Sequence, residues 1–489
     1  MISPFIMVIF GATGDLTRAK LMPSLFGLFK QGLLPSDFFI FGFSRREITE
    51  GDFHDLFPSL ASDPLWGDFN KHIKYQVGNF EDEKGYLELI KNLETIDTEM
   101  GACITRLFYL ATPPDNYEPI LENLNATKLA EGCKPHIVSP DEIMQGKQGS
   151  DNRWTRIVVE KPFGKDLETA KQLDKKLSEI FEERQIFRVD HYLGKENVQN
   201  MLAFRFANGI FEPVWNNKFI DHIQVTISEK NGIGTRGKFY DGVGNLRDVA
   251  QNHLLQLIAA VTMEQPKSFM KEDVRDARVK AIQSIDCISP EKVEETVVRG
   301  QYEGFTAEKN VAENSQTETF VAMKFFMESE RMRGVPIYAR AGKKMEKDVV
   351  EISIVFIQTC HILFKEYGCP EIGNVITIRI QPDEGISMRF IAKKPGSKLS
   401  LGPVEMKFTY QEGFGSKGID AYEKVLLDIM SGDQMLFNRT DELESSWQFI
   451  TNILNGWKEF NPPLYIYNDN SRGPKEADEL IERDGRHWL

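Results

Sequence analysis

Phe5-Ile6-Met7-Val8-Ile9-Phe10 runs without a polar interruption into Gly11-Ala12-Thr13-Gly14-Asp15-Leu16. An unbroken apolar run of that length, with no alternation, is the pattern of a strand covered on both faces, as in a parallel sheet. Leu16, Leu21, Leu25 and Leu28 then recur at helical spacing, and Gly32 ends the helix. Strand, glycine turn and helix in that order aim backbone N–H groups and the positive helix end at a phosphate, which glycine lets approach closely. The spacing is Gly-x-x-Gly, not Gly-x-Gly-x-x-Gly. A plain tight turn therefore explains the loop as well as a dinucleotide site does.

The next apolar run, residues 38–43, ends in Ser44-Arg45-Arg46. An acidic residue at this strand end would bind a ribose 2′-hydroxyl, whereas arginines accommodate a 2′-phosphate, so NADP is expected over NAD. Further strands are expected at residues 106–111 and 156–159, the second ending in Glu160-Lys161-Pro162-Phe163-Gly164. Pro162 removes a ladder donor and leaves Lys161 at the carboxyl edge, where the nicotinamide should lie. Asp166 is a candidate N-cap for a helix with Leu167, Ala170, Leu173, Leu177 and Ile180 on one face. Residues 131–154, rich in Gly, Pro, Ser and Gln, read as a surface excursion.

Ile186 and Phe187 open a last short strand, followed by Arg188-Val189-Asp190-His191-Tyr192-Leu193-Gly194-Lys195-Glu196. His191, Tyr192 and Lys195 can each hydrogen-bond a phosphate oxygen, and the lysine adds compact charge. A solvated loop before a helix is the plainer alternative.

Beyond this point the pattern changes. Residues 222–229 alternate strictly, and similar strands are expected at 320–326, 349–357, 375–380 and 406–410. The expected architecture is an α/β Rossmann dinucleotide-binding domain over 1–187, followed over 188–489 by an α+β substrate-binding domain with a large, mainly antiparallel sheet. Helical patterns at 246–263 and 441–454 should cover one face of that sheet, leaving the other for subunit contact. Within the first, Asp248 and His253 stand five apart, able to reach a shared ligand. His253 reads either as a buried, satisfied histidine or as a general base; the second role needs an orienting carboxylate, for which Asp190 is the candidate. Arg340-Ala341-Gly342-Lys343-Lys344 offers a second cationic loop, and Gln381 closes the strand from Val375.

The net charge of −14, from 59 basic and 73 acidic residues, argues against nucleic acid or an anionic membrane as partner. The longest apolar-rich run, 254–263, is too short to span a bilayer. Five cysteines, scattered and never in Cys-x-x-Cys spacing, predict neither a disulfide framework nor a zinc site, and a reducing, cytoplasmic compartment.

Taken in order, Gly11 to Leu16, Glu160 to Gly164, Asp190 to Glu196, Arg247-Asp248 with Gln251-Asn252-His253, and Arg340 to Lys343 closely resemble the glucose-6-phosphate dehydrogenase family. Gly473-Pro474, Ala477-Asp478 and Asp484-Gly485-Arg486 look like that family's ending. The resemblance implies oxidation of glucose 6-phosphate at C1 to the lactone, with hydride passing to NADP and no metal. It assigns His253 as general base and Asp190 as the residue that orients it. His191, Tyr192 and Lys195 would hold the phosphate, and Lys161 would lie between sugar and nicotinamide. Glu229, Asp248, Lys343 and Gln381 would contact or place the sugar, and Lys20 matches a lysine near the site. Arg45, with Arg46 beside it, would take the 2′-phosphate. Assembly as a homodimer or homotetramer through the large sheet is implied too.

Four places depart from the family pattern. Thr17 stands where alanine is common, residues 468–472 replace a small-residue and tryptophan run, and 131–154 is longer than usual. The loop after Lys343 is one residue short, which bears on Lys347 as a further substrate contact. Two rival readings stand beside this one: a sugar oxidoreductase acting on an unphosphorylated sugar, against which the His191, Tyr192 and Lys195 cluster speaks, and a non-catalytic NADP sensor, which would not need His253.

Overall fold

The computed structural model describes residues 2–132, 155–415 and 419–489; most of the 131–154 excursion lies outside them. The chain divides into two compact units, the first made of Met1–Gly164, Glu168–Gly194 and Ile419–Thr440, the second of Lys165–Leu167, Lys195–Gly418 and Asp441–Leu489.

In the first unit β1 (Phe5–Phe10), β2 (Phe38–Ser44), β3 (Ile73–Val77), β4 (Thr105–Leu110), β5 (Thr155–Glu160) and β6 (Ile186–Val189) form one sheet in the order β3-β2-β1-β4-β5-β6. Every neighbouring pair is parallel, as the unbroken apolar runs predict. All six residues of β1 are buried. Strand order reverses around β1, so a crevice opens beyond the carboxyl ends of β1 and β4. The glycine turn stands there. Gly11 has φ +86°, and a Cβ on it would lie 2.6 Å from the Ala111 carbonyl oxygen, so no side chain fits. The following helix begins with a wide turn over Thr17–Leu21 and continues as α-helix Met22–Lys30, stopping just before Gly32.

A late segment completes this unit. Helix Ala421–Ser431 is capped by Asp420 and ends at Gly432 in the left-handed region; its Tyr422, Val425, Leu426 and Ile429 share a core with Phe5, Met7, Leu25 and Phe187. Arg156 Nη1 donates to the carbonyls of Ile429 (2.6 Å) and Met430 (2.8 Å), satisfying groups that a helix end leaves open. Arg188, 1% exposed, draws several stretches together. Its Nε and Nη2 donate to Asp174 Oδ1 (3.0 and 2.7 Å), its Nη1 to both oxygens of Glu183 (2.9 and 3.0 Å), and its Nη2 to Thr440 Oγ1 (2.8 Å). This fixes the end of β6, two residues before Asp190.

The second unit holds β7 (Ile220–Ser228), β8 (Val297–Tyr302), β9 (Phe320–Phe325), β10 (Ile337–Gly342), β11 (Val349–Phe356), β12 (Val375–Gln381), β13 (Gly385–Lys393), β14 (Leu401–Thr409) and β15 (Leu464–Tyr467) in one sheet, ordered β14-β13-β12-β11-β7-β10-β9-β8-β15. β7 with β10 and β8 with β15 are parallel, and the other neighbours antiparallel. The expected mainly antiparallel sheet is present, with β14 longer than its 406–410 signal. Residues Leu246–Leu254 wind as a π-helix that passes into the fully buried α-helix Leu255–Thr262. Trp215 Nε1 donates to Val261 O (2.7 Å), and Arg205 to Ala260 O (3.2 Å) and Met263 O (2.9 Å), closing the buried helix end.

The cysteine expectation needs correction. Cys360 and Cys369 are disulfide-bonded, with Cα atoms 5.8 Å apart. The chain after β11 turns back through the short helix Cys360–Phe364, which brings two residues nine apart within bridging range; Cys-x-x-Cys spacing carries no trace of this.

Replacing Arg188 by alanine leaves the buried Asp174 carboxylate without its main counter-charge. The first unit should lose ~3–5 kcal/mol of stability, and Arg188→Met with Asp174→Asn should lose less. Chemical denaturation of the three proteins checks this.

Candidate active site

In the first unit, chemistry-bearing residues cluster at strand ends. Gly11, Ala12, Thr13, Gly14, Asp15 and Leu16 follow β1, and the Gly14 N–H closes the turn on Gly11 O at 2.9 Å. Thr13 Oγ1 lies 3.1 Å from Ser44 Oγ, tying this loop to the end of β2, where Arg45 and Arg46 are exposed. Backbone donors at a helix start, with two guanidinium groups on the neighbouring strand end, fit the phosphates of NADP. Lys20, on the wide turn, is exposed.

Lys161 follows β5 and is half-buried; Asp190, His191 and Tyr192 follow β6. Asp190 is 1% exposed. Its Oδ1 accepts the Tyr192 N–H at 3.0 Å, and its carbonyl accepts that of Leu193 at 3.0 Å, so the loop winds around the carboxylate. The His191 ring stacks on Tyr422 (centroids 5.7 Å) and meets the Tyr192 ring edge-on (5.1 Å).

In the second unit the parallel pair β7 and β10 ends in register, Ser228 beside Gly342, and the next residues are Glu229 and Lys343. Lys343, 2% exposed, donates to Glu229 Oε2 and lies 3.8 Å from Asp248 Oδ2. These three candidates, far apart in sequence, thus converge on one ammonium. The π-helix supplies Asp248 and His253; because its bonds run i→i+5, residues five apart come closer to one face than an α-helix would place them. His253 is 4% exposed, and its backbone N–H donates to Asn252 Oδ1 at 2.6 Å. Lys195, the N-cap position of helix Glu196–Ala207, donates to Gln381 Oε1 at the end of β12. Glu384 beside them is raised by burial, which Lys195 partly offsets. The Lys347 side chain is exposed, and its carbonyl accepts from Ser228 Oγ; the cluster around Lys343 does not include it.

Sequence reasoning missed three groups. Tyr240 packs its ring 5.5 Å from Lys343 Nζ, and burial with nearby Asp248 and Glu318 pushes its phenol well up. Glu318 Oε1 accepts the Leu246 N–H at 3.0 Å, anchoring the π-helix. Glu160, quoted within its motif but given no role, is 8% exposed and accepts the Tyr109 hydroxyl at 2.6 Å. Burial pushes its carboxyl up to about 7; Tyr109 and Lys161 counteract, and Asp190 adds to the rise. The one signal was a carboxyl at the end of an apolar strand.

A doubly wound parallel sheet with a glycine turn at its switch point, joined to a large sheet that gathers lysines and carboxylates at its strand ends, defines a nicotinamide-dinucleotide oxidoreductase of the two-unit kind. Residues 8–200 match the family "Glucose-6-phosphate dehydrogenase, NAD binding domain" and residues 202–489 "Glucose-6-phosphate dehydrogenase, C-terminal domain". The chain is 41% identical to the glucose-6-phosphate 1-dehydrogenase of Chlamydia pneumoniae over 99% of its own length and 96% of that protein's. It is similar in structure to a glucose-6-phosphate dehydrogenase in complex with glucose 6-phosphate (TM-score 0.88, 34% identity, all of both chains) and to the glucose-6-phosphate 1-dehydrogenase of Mycobacterium avium (TM-score 0.82, 31% identity, 100% of this chain and 99% of that one). The chain belongs to the glucose-6-phosphate dehydrogenase family.

The raised Glu160 carboxyl has a stability consequence. Its folded pKa, about 7, lies above the ordinary 4.5, so between those values the folded state holds more protons and stability falls as pH rises. Glu160→Gln removes that slope. Its stability relative to wild type should grow by ~3 kcal/mol between about pH 4 and pH 8, as read from unfolding midpoints.

Proposed function

We infer that the protein oxidises D-glucose 6-phosphate at C1 to 6-phospho-D-glucono-1,5-lactone, the first step of the oxidative pentose phosphate pathway, with NADP as cofactor. The observation that carries this is a match to the family along residues 8–489 in a chain that holds the motif residues at its strand ends. NADP, when bound, supplies the hydride acceptor. Gly11 to Leu16 would hold its pyrophosphate, Arg45 and Arg46 its 2′-phosphate, and Lys161 would lie between sugar and nicotinamide.

In this reading His253 is the general base that takes the C1 hydroxyl proton, and Asp190 orients it and stabilises the imidazolium. His191, Tyr192 and Lys195 clamp the phosphate, remote from the bond that breaks, so their binding energy positions C1. Glu229, Asp248, Lys343 and Gln381 place the sugar ring, with Lys20 nearby; Lys347, being exposed, is the weakest member of the set. The two units correspond in this reading to an NADP-binding part, expected over 1–187, and a substrate-binding and dimerisation part over 188–489.

A homodimer or homotetramer through the large sheet is supported by the exposed Val404 and Met406 of β14. Among the described residues no helix is long and apolar enough to cross a membrane. Cytoplasmic placement is the expectation from the scattered cysteines; the Cys360–Cys369 bond argues the other way.

Steady-state reduction of NADP should show a far higher kcat/KM with glucose 6-phosphate than with glucose. Comparable values would overturn the phosphate assignment. His253→Asn should lower kcat by about 10²–10⁴, while Lys195→Gln should chiefly raise KM, by roughly ten- to a hundredfold for a lost charged hydrogen bond. The reverse pattern would exchange the two roles.

A further inference from the structure

We propose that Glu318 and Thr319, the two residues ahead of β9, are positioning residues for the reaction. Together they fix the start of the π-helix and the main chain of Lys343, and so set the Asp248 carboxylate against the Lys343 ammonium. Their role rests on the reading above in which Asp248 and Lys343 place the sugar.

Glu318 is 4% exposed and Thr319 is fully buried. The Glu318 carbonyl accepts the Asn245 N–H, and its Oε1 accepts the Leu246 N–H, each at 3.0 Å. N–H groups at a helix start have no partner within the helix, and here two consecutive ones end on a single residue. A segment held at two successive points cannot turn about its axis without breaking one of them, and Asp248 follows two residues later. Glycine makes this approach possible. Gly244 has φ +74°, and a Cβ there would lie 2.2 Å from Glu318 Oε1 and 2.5 Å from its Oε2, so the carboxyl fills the space that a side chain would take.

Thr319 holds the facing strand end in the same way. Its carbonyl accepts the Lys343 N–H at 3.0 Å. The Tyr467 hydroxyl donates to Lys343 O at 2.7 Å and lies 2.9 Å from Thr319 Oγ1, so both polar groups of the Lys343 main chain are secured. Thr319 Oγ1 also accepts the Tyr302 N–H at 3.0 Å, which anchors the pair of residues to β8.

Asp248 Oδ2 stands 3.8 Å from Lys343 Nζ, and hydrogen bonds join their main chains through Leu246, Glu318, Thr319 and Lys343. The separation of carboxylate and ammonium is thereby set outside the site itself, by two adjacent residues that touch neither charged group. What is required of Glu318 is an oxygen acceptor at that point, not a charge.

The test is kcat/KM for glucose 6-phosphate at saturating NADP, in the full-length enzyme well below its unfolding temperature, with NADP affinity measured beside it. Glu318→Ala removes the acceptor and should lower kcat/KM by roughly ten- to a hundredfold, with NADP affinity unchanged. Glu318→Gln keeps an oxygen in place and should stay within about threefold of wild type. Wild-type kcat/KM in Glu318→Ala, or a fall in Glu318→Gln as deep as in Glu318→Ala, would overturn the proposal. Where Glu318→Ala does not fold, Glu318→Asp draws the oxygen back by one methylene, and undiminished kcat/KM in that variant counts equally against it. Coupling to Asp248 separates positioning from mere stabilisation. In an Asp248→Asn background Glu318→Ala should lower kcat/KM by less than about threefold more, because its effect runs through that carboxylate. Full additivity would refute the positioning role and leave Asp248 in the site, whereas wild-type kcat/KM in Asp248→Asn alone would refute the reading beneath it.

Discussion

A parallel sheet covered on both faces can meet solvent and ligand only where its strands end. That constraint governs the first unit. β1 is buried along its whole length, as is β4, so polar chemistry is excluded from the strands and gathers just past them: the glycine turn after β1, the two arginines after β2, Lys161 after β5 and Asp190 after β6. The arrangement needs no long loops, because the register of the sheet already aligns these ends.

The second unit reaches the same result by a local exception. Its sheet is mainly antiparallel, yet β7 and β10 run side by side in the same direction. Their ends therefore deliver Glu229 and Lys343 to one place, where an antiparallel pair would have sent them to opposite edges. Lys343 is buried, and the Glu229 and Asp248 carboxylates stand beside its ammonium.

Features that depend on local periodicity were readable in the sequence. The unbroken runs of β1 and β2, the glycine turn and the polar loop after Val189 follow from residue order alone, since burial on both faces leaves no alternation. Features that depend on which distant residues meet were not. Nothing in the spacing of Glu229, Asp248 and Lys343 says that they share a site, because that follows from strand order in the sheet. The π-winding of Leu246–Leu254 escaped because its composition suits an ordinary helix; tertiary anchoring, with Glu318 holding the Leu246 N–H, accompanies the wider turn. Glu160 carries no signal of its own in the sequence beyond its motif, since it is burial that displaces its carboxyl. The Cys360–Cys369 pair required the fold of the connection that brings them together. Lys20 and Lys347 match the family's pattern, and both side chains are exposed, as are Arg45 and Arg46.

The return of Ile419–Thr440 to the first unit bears on how the protein is made. Helix Ala421–Ser431 fills the core beneath β1, and Thr440 completes the coordination of Arg188. A nascent chain that has emerged only as far as Gly194 therefore has every strand of its first sheet but not the helix that seals it. Its apolar floor stays open to water while the strands of the second unit are synthesised, and the two units mature together rather than one after the other. Truncation anywhere before residue 440 would strand an unfinished nucleotide-binding unit, exposed to chaperones and proteases, even though its sheet is encoded in full.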